Sequence, residues 1–277
     1  FSIQHKNSIS LFEGLFISSE SQIMQHQGQY PVIYLTFGDI KTGYSESIKN
    51  QIKMKIWQIY LSYKKEMLNS EELDVTEKEF ITSITHQMDD DIAMHSIQFL
   101  CCFLNKIYGD KSTIVILDEY DSLLTKNWNL YGNEDEWDEV KDFVFNFICS
   151  TFKENKYLMR GLITGVTNVP LSFDLSGANN INVYTINSSK YSNCFGFTSD
   201  EIEYLIDAFN FDVSKDDVEN WYGGYKIGYD DVYVSNPWSV CHFFNESGKF
   251  SNYLVMNLRN DFVKEILKDG PLEIKDY

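Results

Sequence analysis

Cationic side chains are scarce in this sequence. Lys and Arg total 23 against 41 Asp and Glu, which leaves a formal net charge of −18. Nucleic-acid affinity rests on Lys and Arg meeting phosphate, so the deficit argues against direct nucleic-acid binding over the molecule as a whole. A local basic groove stays open. Any apolar run near the ~20 residues of a membrane span is also missing. The chain therefore reads as soluble and cytoplasmic, with no membrane contact. No Cys-x-x-Cys pair occurs among Cys101, Cys102, Cys149, Cys194 and Cys241, and their number is odd. That pattern argues against a zinc site or a disulfide frame and predicts buried free thiols in a reducing compartment. Asn187-Ser-Ser and Asn245-Glu-Ser fit the glycosylation pattern. With no signal peptide beside them they read as chance matches.

What remains is a globular composition: 277 residues, 43% hydrophobic and 16% aromatic. That is enough for one large or two smaller domains with a substantial core. The chain is organised around Thr113-Ile-Val-Ile-Leu-Asp-Glu-Tyr-Asp121. An apolar run with an abrupt polar end predicts a strand buried on both faces of a parallel sheet. The carboxylates then emerge at its carboxyl end, where open α/β sheets bind ligands. Two readings follow. In one, Asp118 holds a hydrated Mg²⁺ and Glu119 polarises an attacking water, as in nucleotide hydrolysis. In the other, a core strand runs into an acidic turn that caps the next helix.

Further elements follow in order. A short helix is predicted near Ser10–Gly14, and Tyr30–Phe37 reads as a strand with Pro31 at its start. Gly38-Asp-Ile-Lys-Thr-Gly43-Tyr-Ser45 imitates a phosphate loop, but Tyr44 stands where that loop needs Lys. Ser45–Leu68 is an amphipathic helix with Ile48, Ile52, Ile56, Ile59, Tyr60, Tyr63 and Met67 on one stripe. Lys49, Lys53, Lys64 and Lys65 lie largely off it and read as a solvated face. Residues 71–91 form a polar connector with room for one helix, and a helix covers Ile92–Tyr108. After a loop bearing Trp128 and Tyr131, Glu134–Phe152 is helical with acidic first turns. Tyr157–Thr164 is a strand, and Asn182–Ile186 a short one. Beyond residue 195 the texture turns helical. Thr198-Ser-Asp-Glu201 is a capping box, a helix covers Lys215–Tyr222, and Tyr225–Val234 is a hairpin. Asn236-Pro237 opens a helix, and Asn260–Lys268 is the last.

Taken together, Tyr30-Pro-Val-Ile-Tyr-Leu35, Ile116-Leu-Asp-Glu-Tyr-Asp121, Leu162-Ile-Thr-Gly-Val166, Phe195-Gly-Phe-Thr-Ser-Asp-Glu201, Trp221-Tyr-Gly-Gly-Tyr225 and Asn236-Pro-Trp-Ser239 give a resemblance. In order and spacing the chain resembles the AAA-ATPase-like domain, which often precedes a PD-(D/E)XK nuclease domain. The resemblance implies an α/β fold with a P-loop NTPase-like parallel sheet flanked by helices. It places that core in residues 1–195 and a small, mostly helical lid with a β-hairpin in 196–277. It implies ATP and Mg²⁺ as ligands, Asp118 and Glu119 as the Mg²⁺ and water-activating pair, Asp121 as a third acidic position without an assigned role, and Thr164 as a γ-phosphate sensor. Thr164 has an equal reading as a hydroxyl bonding its own turn.

Departures from the family pattern qualify this. No Gly-Lys-Ser or Gly-Lys-Thr occurs. The chain opens at Phe1, so the phosphate loop and a strand beside the central one are expected upstream, in a longer parent. Asn168 stands where the family usually carries Arg, and Gly223 where an acidic residue is common. Glu273-Ile-Lys275 imitates the nuclease Glu-x-Lys without the Asp it requires. The functional expectation is an ATPase-like nucleotide-binding regulatory domain, a fragment or degenerate copy with little hydrolysis of its own. The alternative is a non-catalytic interaction or scaffold domain that kept the fold. A nuclease domain in the longer chain is the one further partner expected, and the oligomeric state is left open.

Overall fold

A computed structural model describes residues 1–41, 43–109, 113–123, 134–153, 155–166, 181–229 and 231–254. The expected loop around Trp128 and Tyr131, Asn168, the helix at 260–268 and Glu273–Lys275 lie outside them. The chain divides into two compact units, Phe1–Ile181 and Asn182–Tyr277. The sequence placed its boundary near residue 195.

The first unit is mixed α/β. Three parallel strands, β1 (Val32–Thr36), β2 (Thr113–Asp118) and β3 (Leu158–Ile163), lie in the order β1-β2-β3. The apolar run therefore forms the central strand. Both of its edges are taken, by β1 and by β3. A further strand has no room beside β2, contrary to expectation, and would have to join at an outer edge.

Before β1 the chain makes 3₁₀ turns at Ile3–Phe12 and Phe16–Ser19 and one helical turn, α1 (Ser21–Met24). Among the described residues the longer helices of this unit are α2 (Ser45–Asn69), α3 (Val75–Ser83), α4 (Asp90–Tyr108) and α5 (Glu134–Ile148), the last running into a π turn at Cys149–Lys153. Alternate strand residues Ile33, Leu35, Val115 and Leu117 join Ile52 and Ile56 of α2, Leu100 and Leu104 of α4 and Val144 and Phe147 of α5 in one core. Two tyrosines of α2 enter it because their hydroxyls find partners. Tyr60 donates to the Ser96 carbonyl at 2.7 Å and Tyr63 to the Val32 carbonyl at 2.8 Å. Burial pushes the Tyr63 phenol up to about 12 and that of Tyr60 well above its ordinary range. Gly161 of β3 is fixed by close approach, since a Cβ there would sit 2.6 Å from the Phe152 ring.

The opposite sheet face is less covered among the described residues. Tyr34, Ile116 and Leu162 are register partners, so they share that face, and none belongs to the core. Tyr34 and Leu162 are each 53% exposed. On β2 itself Ile114 of that face is buried and Ile116 half-buried, so the expected burial of the central strand holds at Ile114 and loosens toward its carboxyl end. An apolar run reports what a strand tolerates, and the neighbouring elements decide what covers it.

Two of the four lysines off the α2 stripe differ from expectation, whereas Lys65 is exposed as expected. Lys53 bonds Asp90 at 2.7 Å and Lys49 bonds Asp90 at 3.1 Å, with Glu139 at 3.5 Å. Their side chains are only 8% and 12% exposed. The two are ion-paired at the junction of α2, α4 and α5 rather than solvated. Of the cysteines only Cys101 is buried; Cys194 and Cys241 are exposed, and all five are free.

In the second unit, α6 (Ser199–Phe209), α7 (Lys215–Tyr222), a hairpin of β4 (Tyr225–Ile227) and β5 (Val232–Val234), and α8 (Pro237–Asn245) surround Ile202, Val218, Tyr222, Val240 and Phe243. Thr198 and Glu201 form the expected capping box, and Asn236 accepts from the Ser239 N–H at 3.0 Å. Asn182–Ile186 is not a strand: no ladder among the described residues takes it. Its β-branched residues carry propensity, and a strand needs a partner. Gly223 is explained by packing. A Cβ there would lie 2.6 Å from the Glu219 carbonyl oxygen, so an acidic side chain would require the backbone to move. No helix among the described residues is long and apolar enough to cross a membrane.

Candidate functional site

Parallel strands bring their carboxyl ends to one edge, and here three polar ends converge. Thr36 is the register partner of Asp118. Thr164 follows β3, its N–H donating to the Leu117 carbonyl at 2.9 Å, and the Tyr120 N–H donates to the Thr164 carbonyl at 3.0 Å. Alternation places Asp118 on the less covered face with Tyr34 and Ile116.

Asp118 is gripped from both neighbouring strands. The Thr164 hydroxyl donates to Oδ1, and so does the Glu119 N–H at 3.1 Å. The Tyr34 phenol donates to Oδ2 at 2.9 Å. These donors stabilise the charged form. Thr164 first and Tyr34 next hold the Asp118 carboxyl below its ordinary range, against a smaller opposing effect of burial. The same bond to Asp118 is the main cause that raises the Tyr34 phenol.

Glu119 has φ 50°, in the left-handed region that costs a non-glycine residue about 1 kcal/mol. Glu119 is exposed and its carboxylate lies over Gly38, where a Cβ would overlap Oε2. Residue 38 is thus a cradle that any side chain would fill. Asp121 behaves differently. It is 2% exposed, and its Oδ2 accepts from the Val166 N–H at 3.1 Å. It ties the turn after β2 to the segment after β3, with Gly165 pressed against the Tyr120 ring and Asp121.

The structure therefore brings Asp118, Glu119 and Thr164 together and buries Asp121 beside them. Sequence reasoning missed Tyr34 and Gly38. One signal for Tyr34 was available: a phenol among the aliphatics of a strand must find a partner for its hydroxyl.

The donor set fits Mg²⁺. It is all oxygen, and Mg²⁺ keeps several waters while taking one or two carboxylates plus substrate phosphate. Among the described residues no group of three or more His, Cys, Asp or Glu could enclose a metal. A hydrated cation shared with a ligand suits Asp118 better than an all-protein cage. A cavity of about 470 Å³ lies elsewhere, lined by Phe80, Phe99, Phe103 and Tyr157, and includes none of these carboxylates.

Comparison with known proteins gives one result. The family model described as a predicted AAA-ATPase, AAA-ATPase-like, matches residues 1–172. No curated protein and no solved structure matches the chain. The matched region contains all three strands and every residue of the Asp118 cluster. The chain belongs to the AAA-ATPase-like family of predicted AAA-ATPases.

Proposed function

We propose that the carboxyl edge of this sheet is the metal-bearing part of a P-loop-type ATP site. Asp118 holds a hydrated Mg²⁺ through water, and Glu119 orients the water that attacks the terminal phosphate. Thr164 acts through Asp118 rather than as a phosphate sensor, because its hydroxyl donates to that carboxylate. Asp121 is structural. The observation that carries this reading is the grip on Asp118 from both flanking strands, beside an exposed Glu119 in a strained backbone conformation. Strain of that kind collects at functional sites.

The chain contains no Gly-Lys-Ser or Gly-Lys-Thr. That loop supplies the backbone amides and the lysine which grip phosphate. A second reading is an interaction domain that keeps the fold without turnover. Thermal unfolding with and without Mg·ATP separates the two, since a ligand that binds only the folded state raises its stability. A rise in wild type that vanishes in Asp118→Asn supports the ATP site. Equal rises in both remove Asp118 from the site, and no rise in either favours the interaction domain. ATP turnover by residues 1–277 is expected near background. Turnover that disappears in Asp118→Ala and Glu119→Gln would refute that expectation.

A further inference from the structure

Asp118 has two oxygens, and they are not equivalent. Oδ1 already accepts from the Thr164 hydroxyl and the Glu119 N–H. Each lone pair used this way is closed to a coordinated water. Among the described residues, Oδ2 accepts from Tyr34 alone. The donors also differ in freedom. The Glu119 N–H is backbone, and Thr164 sits where its own N–H and carbonyl bond β2 and its turn. Tyr34 is 53% exposed and outside the hydrophobic core, so its phenol is held by fewer neighbours than the other two donors.

We propose that Tyr34 is a built-in competitor for the metal at Asp118: its phenol occupies Oδ2 in the free protein and leaves when a hydrated divalent cation arrives. The proposal rests on the reading of Asp118 as the metal-bearing carboxylate. A donor on a carboxylate draws off the charge that attracts a cation, so Tyr34 sets the affinity lower than Asp118 alone would give. The site then needs a higher metal concentration to fill than a carboxylate without that donor would need.

The test is Mn²⁺ binding by residues 1–277, followed by electron paramagnetic resonance, in wild type, Tyr34→Phe, Asp118→Asn and the double variant. Tyr34→Phe is expected to bind roughly fivefold more tightly, the scale of one hydrogen bond to a charged group at a half-exposed position. The gain must vanish when Asp118→Asn is added. Equal or weaker binding by Tyr34→Phe, with binding in wild type lost in Asp118→Asn, overturns the Tyr34 proposal and leaves the metal reading standing. Binding absent from wild type and Tyr34→Phe alike, or unaffected by Asp118→Asn, overturns the metal reading and this inference with it. A second measurement needs no change at Tyr34. In tyrosine-labelled protein, Mg²⁺ should move the Tyr34 ring resonance in wild type and not in Asp118→Asn. A Tyr34 resonance indifferent to saturating Mg²⁺ in wild type also overturns the proposal.

Discussion

Removing Asp90 should destabilise the first unit by about 2 kcal/mol. Asp90 is the shared partner of Lys53 at 2.7 Å and Lys49 at 3.1 Å. Asp90→Ala leaves two lysine side chains that are 8% and 12% exposed; among the described residues Lys49 then keeps Glu139, at 3.5 Å and 59% exposed, and Lys53 keeps no carboxylate partner. Breaking a fully buried pair costs about 3–5 kcal/mol and an exposed one about 0–1. Asp90 is itself 37% exposed, so the expectation falls between the two. Replacing Lys53 by Met should cost less, because Lys49 keeps Asp90 and the Met fills the volume. Adding Lys53→Met to Asp90→Ala should recover about half the loss, since it removes a stranded charge. Urea unfolding of the four proteins, with helix signal as readout, measures this. A loss under about 0.5 kcal/mol in Asp90→Ala would show that these lysines are solvated after all.

The same group carries a pH signature. Burial is the largest influence on Asp90 and raises its pKa, but Lys53 and Lys49 together outweigh it and the net shift is downward. A carboxyl lowered in the folded state contributes stability above its ordinary pKa of about 3.9, and that stability is lost as pH falls through the folded value. The gap between wild type and Asp90→Ala should therefore narrow below about pH 4.

Three further outcomes follow from the packing and the site. Asp121→Ala should cost about 2 kcal/mol, and Asp121→Asn clearly less, because the amide oxygen can still accept from Val166; equal losses in chemical unfolding would contradict the proposed tie. Gly223→Asp should lower the stability of the second unit by about 1–3 kcal/mol, the scale of an overpacked site; an unchanged melting temperature would mean that the Glu219 carbonyl yields easily. By carboxyl NMR, Asp118 should titrate below the ordinary carboxylate range and move up in Thr164→Ala, since Thr164 is the leading cause of its shift. An ordinary midpoint in wild type would contradict the grip described at the sheet edge.

Local chemistry made much of this fold legible. The three sheet strands, the stripe of α2, the Thr198–Glu201 box and the Asn236-Pro237 start all rest on signals within a few residues. What escaped depended on distant parts of the chain. Lys49 and Lys53 looked solvated because Asp90 is remote in sequence. Asn182–Ile186 looked like a strand because composition does not show whether a ladder takes it, and none among the described residues does. Within the site, Asp118 and Glu119 were readable from the end of an apolar run. The role of Asp121 was not, because it depends on the Val166 N–H across the turn after β3. Tyr34 showed only that its hydroxyl needs a partner; which partner depended on the next strand.

The central claim is that a divalent metal sits one water layer from Asp118. Crystals of residues 1–277 grown with Mn²⁺ and a non-hydrolysable ATP analogue would test it most directly, through anomalous diffraction. The account predicts a peak facing Oδ2 of Asp118, on the less covered side of the sheet and within reach of Glu119. Peaks only at other carboxylates, with Asp118 still bonded to Tyr34 and Thr164, would contradict it.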